Sequence, residues 1–217
     1  MAEMTNIKIR TAGVQDADFL AWVILTAGRA HVRKGIWEVI LGMPEDQCLH
    51  FLKLLSVTGV PHLFHHSCYL VADVDGMPRA GLGGYDPDVT GNAALLQALP
   101  EVYQLLGSAP PNMPQDGAQP RIISCIPEPF ENAWVIDSVA AVPEFRRQGV
   151  VGNLLEAVLA QGRARGFRRA QVNIYIGNTA AQRLYEKHGF AIKDEIRSPY
   201  FEAEIGSPGM ARMLRDL

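Results

Sequence analysis

The feature that most constrains the fold is a regular alternation of strand and helix patterns in the C-terminal half of the chain. A largely apolar run at 133–142 predicts a buried strand, and apolar residues spaced three and four apart at 151–159 predict an amphipathic helix. The patterns that follow predict, in order, a strand, a helix and two strands at 170–176, 178–188, 190–196 and 210–214. This succession is typical of an α/β domain with a largely open sheet.

The N-terminal half carries weaker patterns of the same kind. They predict a strand, two helices and a β-hairpin that turns at an Asp-Gly pair, at 7–10, 14–23, 44–55 and 68–85. Residues 86–131 then interrupt the series with a helical stretch at 93–106, broken near Pro100, and a linker with Pro, Gly and Gln at 108–120. We therefore expect one domain over 1–217, with 86–131 as an insertion before the next strand.

Charge and cysteine content exclude several classes of protein. The chain of 217 residues has a net charge of −3, which argues against a nucleic-acid binder. However, residues 144–197 contain ten lysines and arginines but only five carboxylates, so this positively charged segment would suit a polyanionic ligand. Three widely separated cysteines indicate reduced thiols, and no apolar run is long enough to span a membrane. We expect a soluble cytoplasmic protein without a membrane or nucleic-acid partner.

A glycine-bearing turn lies between the predicted strand at 133–142 and the helix that follows it. Glycine lets the backbone come close to an anion, and the free N–H groups of a first helical turn point towards it. Residues 137–155 therefore suit a pyrophosphate, although an ordinary strand-to-helix turn explains them equally well. The turn matches neither the P-loop nor the dinucleotide-binding glycine pattern.

A second motif spans the predicted helix at 178–188. Asn178 stands where a helix cap is expected, and Gly189 stands where the helix should stop. Tyr185 lies two helical turns after Asn178, so the two share a face. Taken alone, the segment is best explained as a capped helix that packs on a core.

Together, the two motifs resemble those of the GCN5-related N-acetyltransferase (GNAT) family. The first is Arg/Gln-x-x-Gly-x-Gly/Ala, which Arg146 and Gly149 match and from which Val151 departs. Either Val151 narrows the pyrophosphate site, or the loop tilts so that Gly152 makes the close approach. The second is Asn-x-x-Ala-x-x-Leu-Tyr-x-x-x-Gly-Phe, matched by Asn178, Ala181, Leu184, Tyr185, Gly189 and Phe190.

The resemblance implies a fold, a cosubstrate and a reaction. The fold would be a mixed, mostly antiparallel central sheet flanked by helices. Acetyl-CoA would donate its acetyl group directly to a primary amine through a tetrahedral intermediate. The backbone of Val139, Ala140 and Ala141 would pair with the pantetheine arm, and the remaining cofactor-binding residues would be Arg146, Arg147, Gln148, Gly149, Val150, Val151, Gly152, Asn178 and Ala181.

Two residues are the catalytic candidates. Tyr185 would protonate the leaving thiolate, because a phenol with a pKa of about 10 suits a thiol with a pKa of about 8.5. Asp137 would be the base or the anchor for the substrate ammonium, although a structural hydrogen-bonding role is equally compatible with the sequence. Glu128, Glu131 or a chain of water molecules would be the alternatives for the base.

Other questions stay open at the level of sequence. The acceptor is a small-molecule or protein amine, and a homodimer is an open alternative for the assembly. The insertion is predicted to cover the acceptor side of the site, with a dimer contact or a stabilising flap as the alternative. His62, His65 and His66 lack convincing partner ligands, so we expect no metal site. The competing function is an acyl-CoA-binding regulatory module without catalysis.

Overall fold

A computed structural model describes residues 7–107 and 120–217, which form a seven-stranded sheet between two layers of helices. The strands are β1 (Ile7–Thr11), β2 (Tyr69–Val74), β3 (Met77–Tyr85), β4 (Ala133–Ala141), β5 (Arg169–Tyr175), β6 (Ala191–Arg197) and β7 (Gly209–Asp216). Their order across the sheet is β1-β2-β3-β4-β5-β7-β6, and every neighbouring pair is antiparallel except β4 and β5. The mixed, mostly antiparallel sheet predicted above is confirmed.

Eight α-helices accompany the strands within the described residues. They are α1 (Ala17–Arg29), α2 (Ile36–Leu41), α3 (Glu45–Leu55), α4 (Pro87–Thr90), α5 (Asn92–Leu105), α6 (Val150–Ala164), α7 (Thr179–Lys187) and α8 (Pro199–Ile205). Helix α1 packs on one face of β3 and β4, and α6 packs on the other face. None of these helices has both the length and the apolar content needed to cross a membrane.

The two faces of the sheet carry separate cores. On the first face, Val71, Tyr85 and Val135 pack against apolar side chains of α1 and α3. On the second face, Leu82 and Ile136 pack against apolar side chains of α6 and against Tyr185. Alternate residues of β4 thus point to opposite cores, as the twofold repeat of a strand requires.

A third, smaller cluster joins α2, α8 and the segment that returns from the insertion. It contains Ile122, Phe201, Ile205 and Tyr175 of β5, with Ile36 and other apolar residues of α2 packed against it. The sequence patterns predicted neither α2 nor α8. At six and seven residues, both helices are too short to show a helical repeat, but each begins at a local cap: Gly35 with Glu38, and Ser198 with Pro199.

The helix of the insertion differs from its prediction. Helix α5 runs without interruption through Pro100, where a break was expected. Ala98 and Val102 are fully buried on either side of Pro100, so packing compensates for the backbone hydrogen bond that proline cannot make. Most of the linker predicted at 108–120 lies outside the described residues.

Candidate active site

Strands β4 and β5 separate halfway along their length. They pair in parallel from Ala133 with Arg169 to Ile136 with Val172, and the pairing stops there. Beyond that point β4 continues to Ala141 bonded only to β3, and β5 continues to Tyr175 bonded only to β7. The edge of β4 at 137–141, which includes Val139, Ala140 and Ala141, therefore faces an open gap with unpaired backbone groups.

A β-bulge in β4 marks the start of this gap. Gly83 of β3 pairs with Asp137 and Gly81 pairs with Ala140, so two residues of β4 stand opposite the single residue between the glycines. Ser138 adopts a left-handed backbone conformation there, with φ of 50°. A left-handed conformation is costly for a residue other than glycine, and such residues cluster at functional sites.

The turn after β4 exposes backbone donors at the N-terminus of α6. Gly149 caps the helix with φ of 81°, and Arg147 has φ of 60°. The first recorded bond of the helix runs from the N–H of Asn153 to the carbonyl of Gly149. Among the described residues, none accepts a hydrogen bond from the backbone N–H groups of 147–152, so these groups and the positive end of the helix dipole can bind an anion.

The predicted cofactor residues differ in what their side chains do. The side chains of Arg147 and Gln148 are exposed beside the free N–H groups. Arg146 is also exposed, but its Nε donates to the carbonyl of Ala141 at 3.0 Å, which ties the turn to the end of β4. Val150 is buried, so only its backbone can contact a ligand.

The structure bears on both interpretations of Val151 and Gly152. The side chain of Val151 is half-buried and packs on the second core. A Cβ on Gly152 would lie 3.1 Å from Nε2 of His188 at the end of α7. Glycine at 152 thus permits α6 and α7 to approach each other.

The second motif forms the capped helix α7. The side chain of Asn178 accepts a hydrogen bond from the N–H of Ala181 at 3.2 Å, and Gly189 follows the helix with φ of 79°. Tyr185 is 2% exposed and packs edge-on against Phe190, with ring centroids 5.5 Å apart. Burial raises the pKa of Tyr185 and the charge of Asp137 raises it further, so its phenol stays protonated at neutral pH.

Asp137 is a half-buried carboxyl without a cationic partner. Within residues 7–107 and 120–217 no lysine, arginine or histidine stabilises its charge, and residues 1–6 and 108–119 contain none of these three side chains. Burial raises the pKa of Asp137, and the hydroxyl of Ser138, which donates to Oδ1 at 3.0 Å, partly offsets this effect. Such a carboxyl can take up a proton or pair with a cation that enters the site.

Glu131 and Glu128 are the other acidic candidates. Glu131 is exposed in the turn before β4, and the four extended residue steps from Ala133 to Asp137 span about 13 Å. Glu128 also has an exposed side chain, and its carbonyl accepts hydrogen bonds from Gln171 and Arg212. The charges of both Glu128 and Asp137 contribute to the raised pKa of Tyr85, so the two carboxyl groups face the same tyrosine.

The sequence analysis did not identify two polar side chains of β5, Gln171 and Asn173, that form hydrogen bonds with the end of the insertion at 127–130. Gln171 is fully buried; its Oε1 accepts from the N–H of Phe130, and its Nε2 donates to the side chain of Asn173. Asn173 in turn donates to the carbonyl of Pro127 at 3.0 Å. The alternation of Gln171 and Asn173 with apolar residues was the available signal, since polar residues at every second position of a strand share one face.

The three histidines near β2 are close to other protein groups with which they can hydrogen bond. His62 is fully buried, and its Nδ1 accepts from the N–H of Phe64 at 3.1 Å. Its Nε2 therefore carries the proton and can donate to the carbonyl of Leu55, also at 3.1 Å. Burial and the neighbouring His65 lower the pKa of His62 to about 4. Across the described part of the chain, no group of three His, Cys, Asp or Glu side chains is arranged to hold a metal ion.

Comparison with known proteins agrees with this architecture. The model of a family described as Acetyltransferase (GNAT) family matches residues 113–190, which include the bulged strand, the N-terminus of α6 and α7. No curated protein sequence matches the chain significantly.

Solved structures of acetyltransferases superpose on nearly the whole chain. One described as an acetyltransferase has a TM-score of 0.69 at 19% identity, covering 96% of this chain and 98% of its own. An N-acetyltransferase from Staphylococcus aureus Mu50 has a TM-score of 0.67 at 18% identity, with coverage of 95% and 99%. The NatC complex bound to Gag peptide and CoA has a TM-score of 0.52 at 11% identity, with coverage of 98% and 99%. Both kinds of comparison confirm the resemblance indicated by the two sequence motifs, and the chain has the fold of the GNAT acetyltransferases.

Proposed function

We propose that this protein is an N-acetyltransferase that transfers the acetyl group of acetyl-CoA directly to a primary amine. One observation carries the proposal: the gap between β4 and β5 opens beside the free N–H groups at the start of α6, and the gap begins at Asp137. A family match over the same segment supports it. A solved structural neighbour, the NatC complex, is described with CoA bound.

The residues around the gap fit the parts of acetyl-CoA. The free N–H groups of 147–152 suit the pyrophosphate, and the unpaired edge of Val139, Ala140 and Ala141 suits an amide-bearing arm that adds like a strand. Exposed Arg147 provides a positive charge beside the phosphates. Asn178 and Ala181 position the start of α7 through their capping hydrogen bond.

When bound, acetyl-CoA supplies a thioester whose carbonyl carbon accepts the amine nitrogen and whose thiolate then leaves. An amine that enters as an ammonium ion must first lose a proton. Asp137 has no cationic partner within the chain, so it can hold the ammonium and then accept the proton, directly or through water. Its raised pKa makes it a better proton acceptor than an ordinary aspartate.

Tyr185 is proposed to donate the proton that the thiolate needs. It approaches the sheet from the side of the second core, whereas Asp137 shares the opposite face with Val135. The proposed acid and the proposed base therefore belong to opposite faces of the sheet, which keeps the proton donor apart from the group that must remain deprotonated. Burial keeps the Tyr185 phenol protonated until the thiolate forms.

Release of free thiol from acetyl-CoA, measured across a panel of small amines and peptides, tests the proposal. We expect release that depends on at least one amine and an acetylated product of that amine in the mass spectrum. Cofactor binding in a thermal-shift titration without any transfer would instead support the acyl-CoA-binding module. Absence of both binding and transfer in a folded sample would exclude both functions.

The insertion is proposed to contribute to the choice of acceptor. Its final segment is hydrogen-bonded to Gln171 and Asn173, on the face of β5 that also carries Tyr175. Its helix α5 packs on α3, and Glu101 accepts a hydrogen bond from the N–H of Gly59. Replacement of residues 93–120 by a Gly/Ser linker should alter acceptor turnover while sparing affinity for CoA. Unchanged turnover across the amine panel would exclude this role.

A further inference from the structure

Three neighbouring strands place Tyr69, Gly83 and Asp137 in one row across the sheet. Tyr69 of β2 pairs with Gly83 of β3, and Gly83 pairs with Asp137 of β4. A Cβ on Gly83 would lie 3.0 Å from Cζ of Tyr69 and 3.0 Å from the carbonyl oxygen of Asp137. Because Gly83 has no side chain, the phenol ring of Tyr69 lies across β3 with its hydroxyl end next to β4.

The hydroxyl of Tyr69 is buried without a hydrogen-bond partner among the described residues. Tyr69 is 1% exposed, and its oxygen is one of the buried side-chain atoms without a partner. Leaving a buried hydroxyl unpaired is unfavourable, so each such group calls for an explanation. Burial and the charge of Asp137 raise the pKa of Tyr69 well above its ordinary value, so this hydroxyl is a donor at all pH values of interest.

Ser138 lies between this hydroxyl and the carboxyl of Asp137. Its left-handed backbone conformation turns its side chain so that Oγ donates to Oδ1 of Asp137 at 3.0 Å. The Tyr69 hydroxyl lies near Ser138 but short of good hydrogen-bond geometry, and this nearby polar group partly offsets the rise in the pKa of Tyr69. A small rotation would let Tyr69 donate to Oγ of Ser138 and thereby fix the serine proton on Asp137.

We propose that Tyr69 is a positioning residue for Asp137 and acts through Ser138, so that a chain of donors from Tyr69 to Ser138 to Asp137 holds the carboxylate when it binds the substrate ammonium. This inference rests on the proposed function of Asp137. In this chain of donors, the hydroxyl of Tyr69 donates a hydrogen bond to Oγ of Ser138, and the hydroxyl of Ser138 donates one to the carboxylate of Asp137. The chain involves hydrogen bonds alone, and no covalent bond breaks.

Several other titratable groups face Asp137, and one of them, Tyr85, provides a control for the substitution of Tyr69. The charge of Asp137 also raises the pKa of Tyr85 on β3, Tyr175 on β5 and Tyr185 on α7. The thiol of Cys68 lies beside Tyr69 and Tyr85 and has a pKa raised by burial. Tyr85 is buried on the same face as Tyr69, and no hydrogen bond links it to Ser138, so Tyr85→Phe is the matched control.

The experiment is a titration of the Asp137 carboxyl by ¹³C NMR, assigned with the Asp137→Asn variant, in the full chain without ligands. It needs no turnover, so it remains informative even if no amine is acetylated. We expect Tyr69→Phe to raise the midpoint of the Asp137 titration by about half a pH unit or more, because the carboxylate loses a hydrogen-bond donor that is held in place. Tyr85→Phe should leave the midpoint within error of the parent.

The Ser138→Ala variant tests whether Tyr69 acts through the serine. It should raise the midpoint by itself, and adding Tyr69→Phe to it should produce no further rise. If Tyr69→Phe does not fold, Ser138→Ala with an unchanged midpoint would overturn the proposal. Equal shifts in Tyr69→Phe and Tyr85→Phe, or additive shifts in the double variant, would also overturn it, because they would indicate a general loss of polarity.

In an active enzyme the same shift should appear in the pH profile. The acidic limb of kcat/KM in Tyr69→Phe should move to higher pH, with activity restored at alkaline pH where the carboxyl ionises again. A uniform loss at all pH values would indicate damage to packing and would contradict the positioning role. Absence of transfer by the parent would contradict the proposed function instead, and the NMR titration would still decide the role of Tyr69.

Discussion

The hydroxyl of Tyr175 donates a hydrogen bond to the carbonyl of Gly28 at 2.6 Å and accepts one from the N–H of Ile36 at 3.3 Å. It therefore connects the end of β5, which no longer pairs with β4, to the last turn of α1 and the first residue of α2. These bonds span 147 and 139 positions in the sequence, respectively, and join the gap between the strands to the helices on the first face of the sheet.

We predict that Tyr175→Phe lowers the free energy of unfolding by about 1–3 kcal/mol, since the carbonyl of Gly28 and the N–H of Ile36 lose their partner. Denaturant unfolding measures this change. Tyr200→Phe is the control, because Tyr200 is half-buried, packs its ring under Arg121 and makes no hydroxyl hydrogen bond within residues 7–107 and 120–217. Equal stability of Tyr175→Phe and the parent would show that the bridge contributes nothing to folding.

Tyr185→Phe should lower kcat while leaving the affinity for CoA nearly unchanged. The substitution removes only the phenol proton donor, and the ring keeps its contact with Phe190. Steady-state kinetics and a CoA titration together measure the two effects. Tyr200→Phe on α8 is the control, since that ring is half-buried and packs under Arg121. Turnover of Tyr185→Phe at the parental rate would mean that water supplies the proton.

Asp137→Asn should stabilise the fold at neutral pH even though it lowers turnover. A carboxyl whose pKa is raised by folding destabilises the native state once the pH exceeds its unfolded value, ordinarily 3.8. The penalty grows as the pH rises from there through the raised native pKa, and it is absent in acid. The gain in melting temperature over the parent should therefore be present at pH 7 and disappear below about pH 4. A gain that is independent of pH would contradict an uncompensated charge at Asp137.

The fold could be predicted because its elements carry local signals. The C-terminal strands and helices have strong apolar repeats, and Asn178 and Gly189 mark both ends of α7, as the structure confirms. The parallel pairing of β4 with β5, by contrast, depends on contacts between residues distant in sequence. No local repeat specifies where that pairing stops, so the gap after Ile136 could come only from the family resemblance.

The site was predictable in part for the same reason. Residues that belong to a family motif, such as Gly149 and Tyr185, could be proposed as site residues from the sequence alone. The positioning groups Tyr69 and Ser138 could not, since their significance depends on the register of three strands and on the bulge in β4. The two interpretations of Val151 and Gly152 stayed open because a sequence does not tell which face of a first helical turn meets the core, and the structure shows that Val151 packs on the second core.

Gly149 and Gly166 form a matched pair that separates a contribution to CoA binding from a contribution to stability. Both glycines flank α6, with φ of 81° and 87°, and a Cβ on either would meet no atom within 4 Å. Gly149→Ala and Gly166→Ala should therefore cost similar stability, about 1–2 kcal/mol each, since both force a left-handed alanine. Only Gly149 precedes the free N–H groups of α6, so only its variant should also weaken binding of CoA, by about tenfold if one backbone hydrogen bond to the phosphates is lost. Isothermal titration with CoA separates the two effects. Equal affinity in the two variants would mean that the turn at Gly149 does not bind the pyrophosphate.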